Sequence, residues 1–115
     1  MPDEAEREVP EGVAVFPLIP AELGVDPLLL AVIHTAVFLT GSETGVVDPE
    51  AADETMHYLI AYLQRLEGSR LKRVQEDLFT LVGYAKQQKW SKQEVRFLSE
   101  FLKELGIGST AERME

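Results

Sequence analysis

The chain has 115 residues, 20 of them acidic and 11 basic, for a formal net charge of −9; 45% of residues are hydrophobic and none is cysteine. This length suits one domain with a core of its own, and the missing cysteines exclude disulfides, thiolate metal sites and cysteine nucleophiles. The acidic balance excludes nucleic acid as a main partner, because phosphate binding needs a basic footprint.

Met1 to Glu11 hold five acids and one arginine. A secretory signal needs a basic start and an apolar run, so residues 1–12 read as a disordered acidic arm of a cytoplasmic protein. Val13 to Pro20 is apolar but interrupted by Pro17 and Pro20, which lack an amide donor and so disfavour a helix interior or a central strand. The expectation is an extended segment laid across a helical body, with Phe16, Leu18 or Ile19 inserted, followed by a single turn over Ala21 to Gly24.

Four helix signals follow. Asp26-Pro27 reads as an N-cap and first helical position, since aspartate accepts orphan amide bonds and proline has the right φ there. That helix runs to about Thr40, with Gly41 as a left-handed cap. The pair recurs at Asp48-Pro49, and the second helix is expected to end at Glu67 with Gly68 as its stop. Ser69 then caps a third helix over about Arg70 to Lys89. Ser91 and Glu94 form a capping box for a fourth helix ending at Leu105, closed by Gly106.

The apolar periodicity agrees with these helices. Ala52, Met56, Leu59, Leu63 and Leu66 form one stripe; Leu71, Val74, Leu78, Leu81 and Ala85 form another; Val95, Leu98, Leu102 and Leu105 form a third. The first helix is apolar nearly all round and predicts cover on every side, by its own chain or by a partner. Its apolar run from Leu28 to Leu39 would extend roughly 18 Å as a helix, short of the roughly 30 Å of a bilayer core. A buried core helix is expected instead, with no membrane partner.

Charge is uneven. Residues 1–64 hold twelve acids and one base, and residues 65–115 hold eight acids and ten bases. Arg65, Arg70, Lys72 and Arg73 gather at the joint of the second and third helices. They read as solvated bases pairing with Glu67, Glu76 and Asp77, or else as a docking patch for an acidic partner.

Chemistry has few footholds. Glu54 and His57 share a helix face one turn apart, the spacing that di-iron bundles use twice. Only one copy exists, because Ala31 stands three residues before His34. Thr40 to Ala51 has the rhythm of a calcium loop, but Thr40, Ser42, Thr44 and Ala51 occupy the ligand positions. No serine stands on a strand-to-helix elbow and no glycine-rich phosphate loop opens a helix. His34, in the most apolar helix, reads as a core or interface histidine, or as a pH-sensitive contact.

The sequence thus predicts an all-α domain: a small bundle of four main helices over residues 13–106, an extended N-terminal segment packed on it, and a flexible tail over 107–115. No catalytic residue is assigned. The expected function is a non-enzymatic protein-interaction module of adaptor or regulatory type, self-associating as a homodimer. Leu28, Val32, Phe38, Tyr58, Tyr62 and Arg65 are its candidate contacts, because aromatics bury area at little entropic cost. Trp90, Phe97 and Phe101 widen the apolar face of the fourth helix, for the core or for a partner interface. The alternative is a metal- or small-ligand-binding protein holding a divalent ion on Glu54 and His57.

Overall fold

Two Asp-Pro pairs open the first two helices in the computed structural model, which describes residues 9–107. After a 3-10 turn at Ala21–Leu23 come α1 (Pro27–Gly41), α2 (Pro49–Leu63), α3 (Gly68–Gln87), α4 (Lys92–Ser99) and α5 (Phe101–Glu104). The protein is all-α, and among the described residues there is no strand. Asp26 accepts from the Leu28 amide at 2.9 Å and Asp48 from the Ala51 amide at 2.9 Å, so both aspartates cap as expected. The Ser91–Glu94 box is also formed: Ser91 Oγ accepts from the Glu94 amide, and Glu94 Oε1 from the Ser91 amide, each at 3.1 Å.

Four boundaries differ from expectation. The second helix ends at Leu63, not Glu67, because the chain tightens into i→i−3 bonds from the Arg65 amide to Tyr62 and from the Leu66 amide to Leu63. α3 starts at Gly68, and Ser69 lies inside it; the cap position is Glu67, which makes no side-chain cap bond. Gly41 is the last residue of α1 and has no positive φ. Its missing side chain serves a close approach, since a Cβ there would stand 2.9 Å from Ala14 Cβ. The fourth helix breaks at Glu100 (φ −110°, ψ 10°), dividing the expected single rod into α4 and α5.

The ends of α3 and α5 are closed by the same device. Gly106 has φ 72°, its amide donates to Lys103 at 3.0 Å, and the Ile107 amide donates to Leu102 at 2.9 Å. This is a Schellman turn, with glycine where a left-handed residue is needed. α3 closes identically without glycine. Lys89 takes φ 60°, its amide reaches Lys86 at 3.1 Å, and the Trp90 amide reaches Ala85 at 2.9 Å.

The core joins α1, α3, α4 and α5 through Leu29, Ile33, Leu81, Ala85, Leu98 and Phe101. The proline-bearing segment supplies Phe16 and Ile19 to it, while Leu18 points outward. Phe16 stacks edge-on near His34 (5.3 Å) and Trp90 (5.5 Å). The segment is held to the end of α1 where the Ala14 amide donates to Ser42 Oγ at 2.9 Å and the Glu43 amide to the Gly12 carbonyl at 2.8 Å. α2 is peripheral. Ala52 is its one buried residue, Met56 is partly buried against the core, and Leu59, Leu63 and Leu66 of its expected stripe are half-covered. Ile107, assigned to the tail by sequence, is buried. Residues 1–8 and 108–115, most of the expected arm and tail, lie outside the described residues.

A buried carboxylate ties the layers together. Asp77 of α3 accepts from the Asp26 amide at 3.0 Å and from Arg73 Nε at 3.0 and 3.1 Å. Arg73 Nη2 in turn donates to the Gly24 carbonyl at 3.0 Å. Asp77→Ala strands the Asp26 amide and the guanidinium, and is expected to cost about 2–3 kcal/mol in urea unfolding. Lys89→Gly relieves a left-handed residue at a helix end and is expected to stabilise by about 0.5–1 kcal/mol in the same assay.

Candidate functional site

α1 contains no Asp, Glu, Lys or Arg between Pro27 and Gly41. Its inner face buries Leu29, Ile33 and Ala36. The opposite face carries Leu28, Ala31, Thr35 and Phe38, all exposed, at steps of three and four that align them along the helix. Leu28 is 72% and Phe38 38% exposed. Thr35 Oγ1 donates to the Ala31 carbonyl at 2.8 Å, so even its hydroxyl is engaged within the helix. The described part of the chain therefore leaves one side of this apolar helix uncovered. Val32, named with these residues from sequence, is half-buried against the core and stands at the edge of the stripe.

On α2, which packs against α1, Tyr58 and Tyr62 lie one turn apart and are 55% and 61% exposed. Arg65, just beyond the helix, places its guanidinium 4.8 Å from the centroid of the Tyr62 ring. This cation–π contact orders an otherwise free side chain beside the two tyrosines.

Glu54 and His57 are both exposed on α2. Among the described residues no group of three or more His, Cys, Asp or Glu side chains is arranged to hold a metal ion. The His57 ring lies 5.5 Å from the Tyr58 ring, nearly perpendicular to it. Asp48, the one carboxylate that falls at a calcium-ligand position of the preceding loop, is engaged as the α2 cap.

Two features escape sequence reading. Phe79 on α3 is 80% exposed, the highest value for a large apolar side chain among the described residues. It borders a groove of about 400 Å³ between α3 and the α4–α5 arm, floored by Leu78, Leu98 and Ile107. The available signal is its phase, because Phe79 falls outside the Leu71–Val74–Leu78–Leu81–Ala85 stripe. The second is a cleft of about 360 Å³ at the α3–α4 corner, with Trp90 and Val95 among cationic side chains. Trp90 is half-buried, so its core role and its surface role coexist.

Comparison of the chain with protein-family models, curated proteins and solved structures gives no match. No helix of the described residues is long and apolar enough to cross a membrane.

His34 faces the Phe16 ring in a partly buried position, and burial lowers its pKa from the ordinary 6.5. The folded state thus favours neutral imidazole, and the unfolded chain takes up the proton first as pH falls. Stability from this site is present above 6.5 and is lost as pH falls below it toward the lowered folded value. Unfolding free energy measured from about pH 7.5 to about pH 5.5 is expected to fall more steeply for the native chain than for His34→Gln. Parallel profiles would assign the acid sensitivity to other groups.

Proposed function

We propose that the chain is a non-enzymatic protein-interaction module of adaptor or regulatory type that self-associates as a homodimer through the outer face of α1. The observation that supports this is the exposed Leu28–Ala31–Thr35–Phe38 stripe on a helix without a single charge. Solvent-facing helix surfaces ordinarily carry charged side chains, and a contiguous apolar face stays in water only at a cost that association removes. Tyr58, Tyr62 and Arg65 extend the contact on the α2 side, where rigid aromatics and arginine suit an interface centre. A C2 pairing would set the stripe against its own copy, so one patch serves both protomers. The alternative, a divalent ion on Glu54 and His57, has two ligands on one exposed face and less support.

Sedimentation velocity across low to high micromolar concentration tests the proposal. The native chain is expected to sediment as a dimer. Leu28→Glu with Phe38→Glu is expected to sediment as a monomer, with dissociation at least about a hundredfold stronger, since two buried apolar groups contribute roughly 1.5–3 kcal/mol each. Leu28 is 72% exposed in the single chain, so Leu28→Glu alone should keep monomer stability within about 0.5 kcal/mol and serves as the control for Phe38→Glu, whose ring is more than half covered. A native chain that stays monomeric at high micromolar concentration overturns the proposal.

A further inference from the structure

The corner between α3 and α4 gathers positive charge in an otherwise acidic chain. Lys86, Lys89, Lys92 and Arg96 fall within eleven residues, and Glu94 is the single acid among them. That carboxylate is already engaged: Glu94 Oε1 accepts from the Ser91 amide at 3.1 Å and from Ser91 Oγ at 3.2 Å. Among the described residues the one salt bridge is Arg73–Asp77, so none of the four bases is paired with a described carboxylate.

Lys86, Lys92 and Arg96 surround a cleft of about 360 Å³ whose other lining residues are Trp90 and Val95. The indole is held from behind, edge-to-face with Phe16 at 5.5 Å and with Tyr84 at 5.9 Å. Its backbone is fixed as well, by the Trp90 amide bond to Ala85 and by the capping box that starts α4. Three cations are thus displayed around a small apolar floor on a rigid corner.

The two chemistries of this cleft specify different parts of one ligand. Unpaired ammonium and guanidinium groups select carboxylates, and the guanidinium can take one bidentately. Trp90 and Val95 select an apolar side chain. Inorganic phosphate would use the cations and leave the floor wet. A long nucleic acid would run beyond the corner into the field of a chain with net charge −9. A short segment senses only charges within a Debye length of about 8 Å, where this surface is basic. We propose that the cleft docks an acidic peptide segment of a partner protein, in which an apolar residue is flanked by carboxylates. The site is separate from the α1 stripe and does not depend on self-association.

The sequence holds one tryptophan, so Trp90 emission reports on the cleft directly. The full-length chain is titrated with acetyl-Glu-Glu-Leu-Glu-Glu-amide while tryptophan emission is followed. A saturable change is expected with Kd on the order of 100 µM, weakened at least about threefold between low and high salt. Lys92→Glu with Arg96→Glu is expected to weaken binding at least about tenfold. The same reversal at Arg70 and Lys72, on the other basic cluster, should leave it unchanged. Circular dichroism checks that each variant folds, and Lys86→Gln with Lys92→Gln replaces the reversal if it does not. The proposal is overturned by the absence of a saturable change, or by an equal response to acetyl-Gln-Gln-Leu-Gln-Gln-amide. Undiminished binding by a folded variant overturns it too, as does tighter binding of inorganic phosphate or of a thymidine octamer than of the acidic peptide.

Discussion

The rotation of α1 about its own axis depends on the carboxylate of Asp77. One oxygen of that group receives the Asp26 amide, and both receive Arg73 Nε, while Arg73 Nη2 holds the Gly24 carbonyl just upstream. Asp26 meanwhile caps its own helix through Leu28. The cap residue of the first long helix is therefore anchored to the middle of α3 by charge-assisted bonds, which are stronger and more directional than the apolar contacts around them. With that end fixed, Leu29, Ile33 and Ala36 turn inward, and Leu28, Ala31, Thr35 and Phe38 are left facing out. A helix so uniformly apolar has no hydrophobic preference among its faces, so a polar anchor must choose.

The N-terminal segment covers a further part of α1. Its prolines keep it extended, Phe16 fills the space between His34, Trp90 and Phe97, and Gly41 lets the backbones approach closely. α2 is held more lightly, by Ala52 and Met56 along its length and by Gln64 Nε2, which donates to the Leu105 carbonyl at 3.1 Å near its end. A cleft of about 300 Å³ between Met56, Phe97 and Phe101 marks where α2 stands off the α4–α5 arm. Helices with few buried contacts open locally at lower cost than the body they rest on. The tyrosines proposed as contacts thus sit on the least constrained helix, where a partner's packing can add most.

The two proposed surfaces have opposite chemistry. The α1 face is uncharged and apolar, suited to a copy of itself. The α3–α4 corner is basic around one indole, suited to an acidic segment. An interaction module that pairs through one face and reads a peptide through another needs no catalytic group, in keeping with the use of the serines Ser42 and Ser91 as hydrogen-bond partners of the backbone.

What was legible in the sequence was local. The Asp-Pro starts, the Ser91–Glu94 box and the Gly106 closure all follow from which atoms lie within a few residues of each other along the chain, whereas the choice of Phe16 and Ile19 over Leu18 for insertion was made by residues as distant as Trp90. The uncharged character of α1 and the aromatic pair Tyr58–Tyr62 were legible for the same reason. Tertiary structure decided the rest, because those choices are made between residues distant in sequence. Asp77 bonds an amide fifty-one residues away, Gly41 is small because Ala14 lies against it, α2 is peripheral because α1, α3 and the α4–α5 arm close the core without it, and Phe79 is exposed because its neighbours in the stripe take the inner face. Periodicity states that a helix has an apolar side; the competition among the helices for one core, and for α1 the Asp77 anchor, determine which apolar sides remain in water.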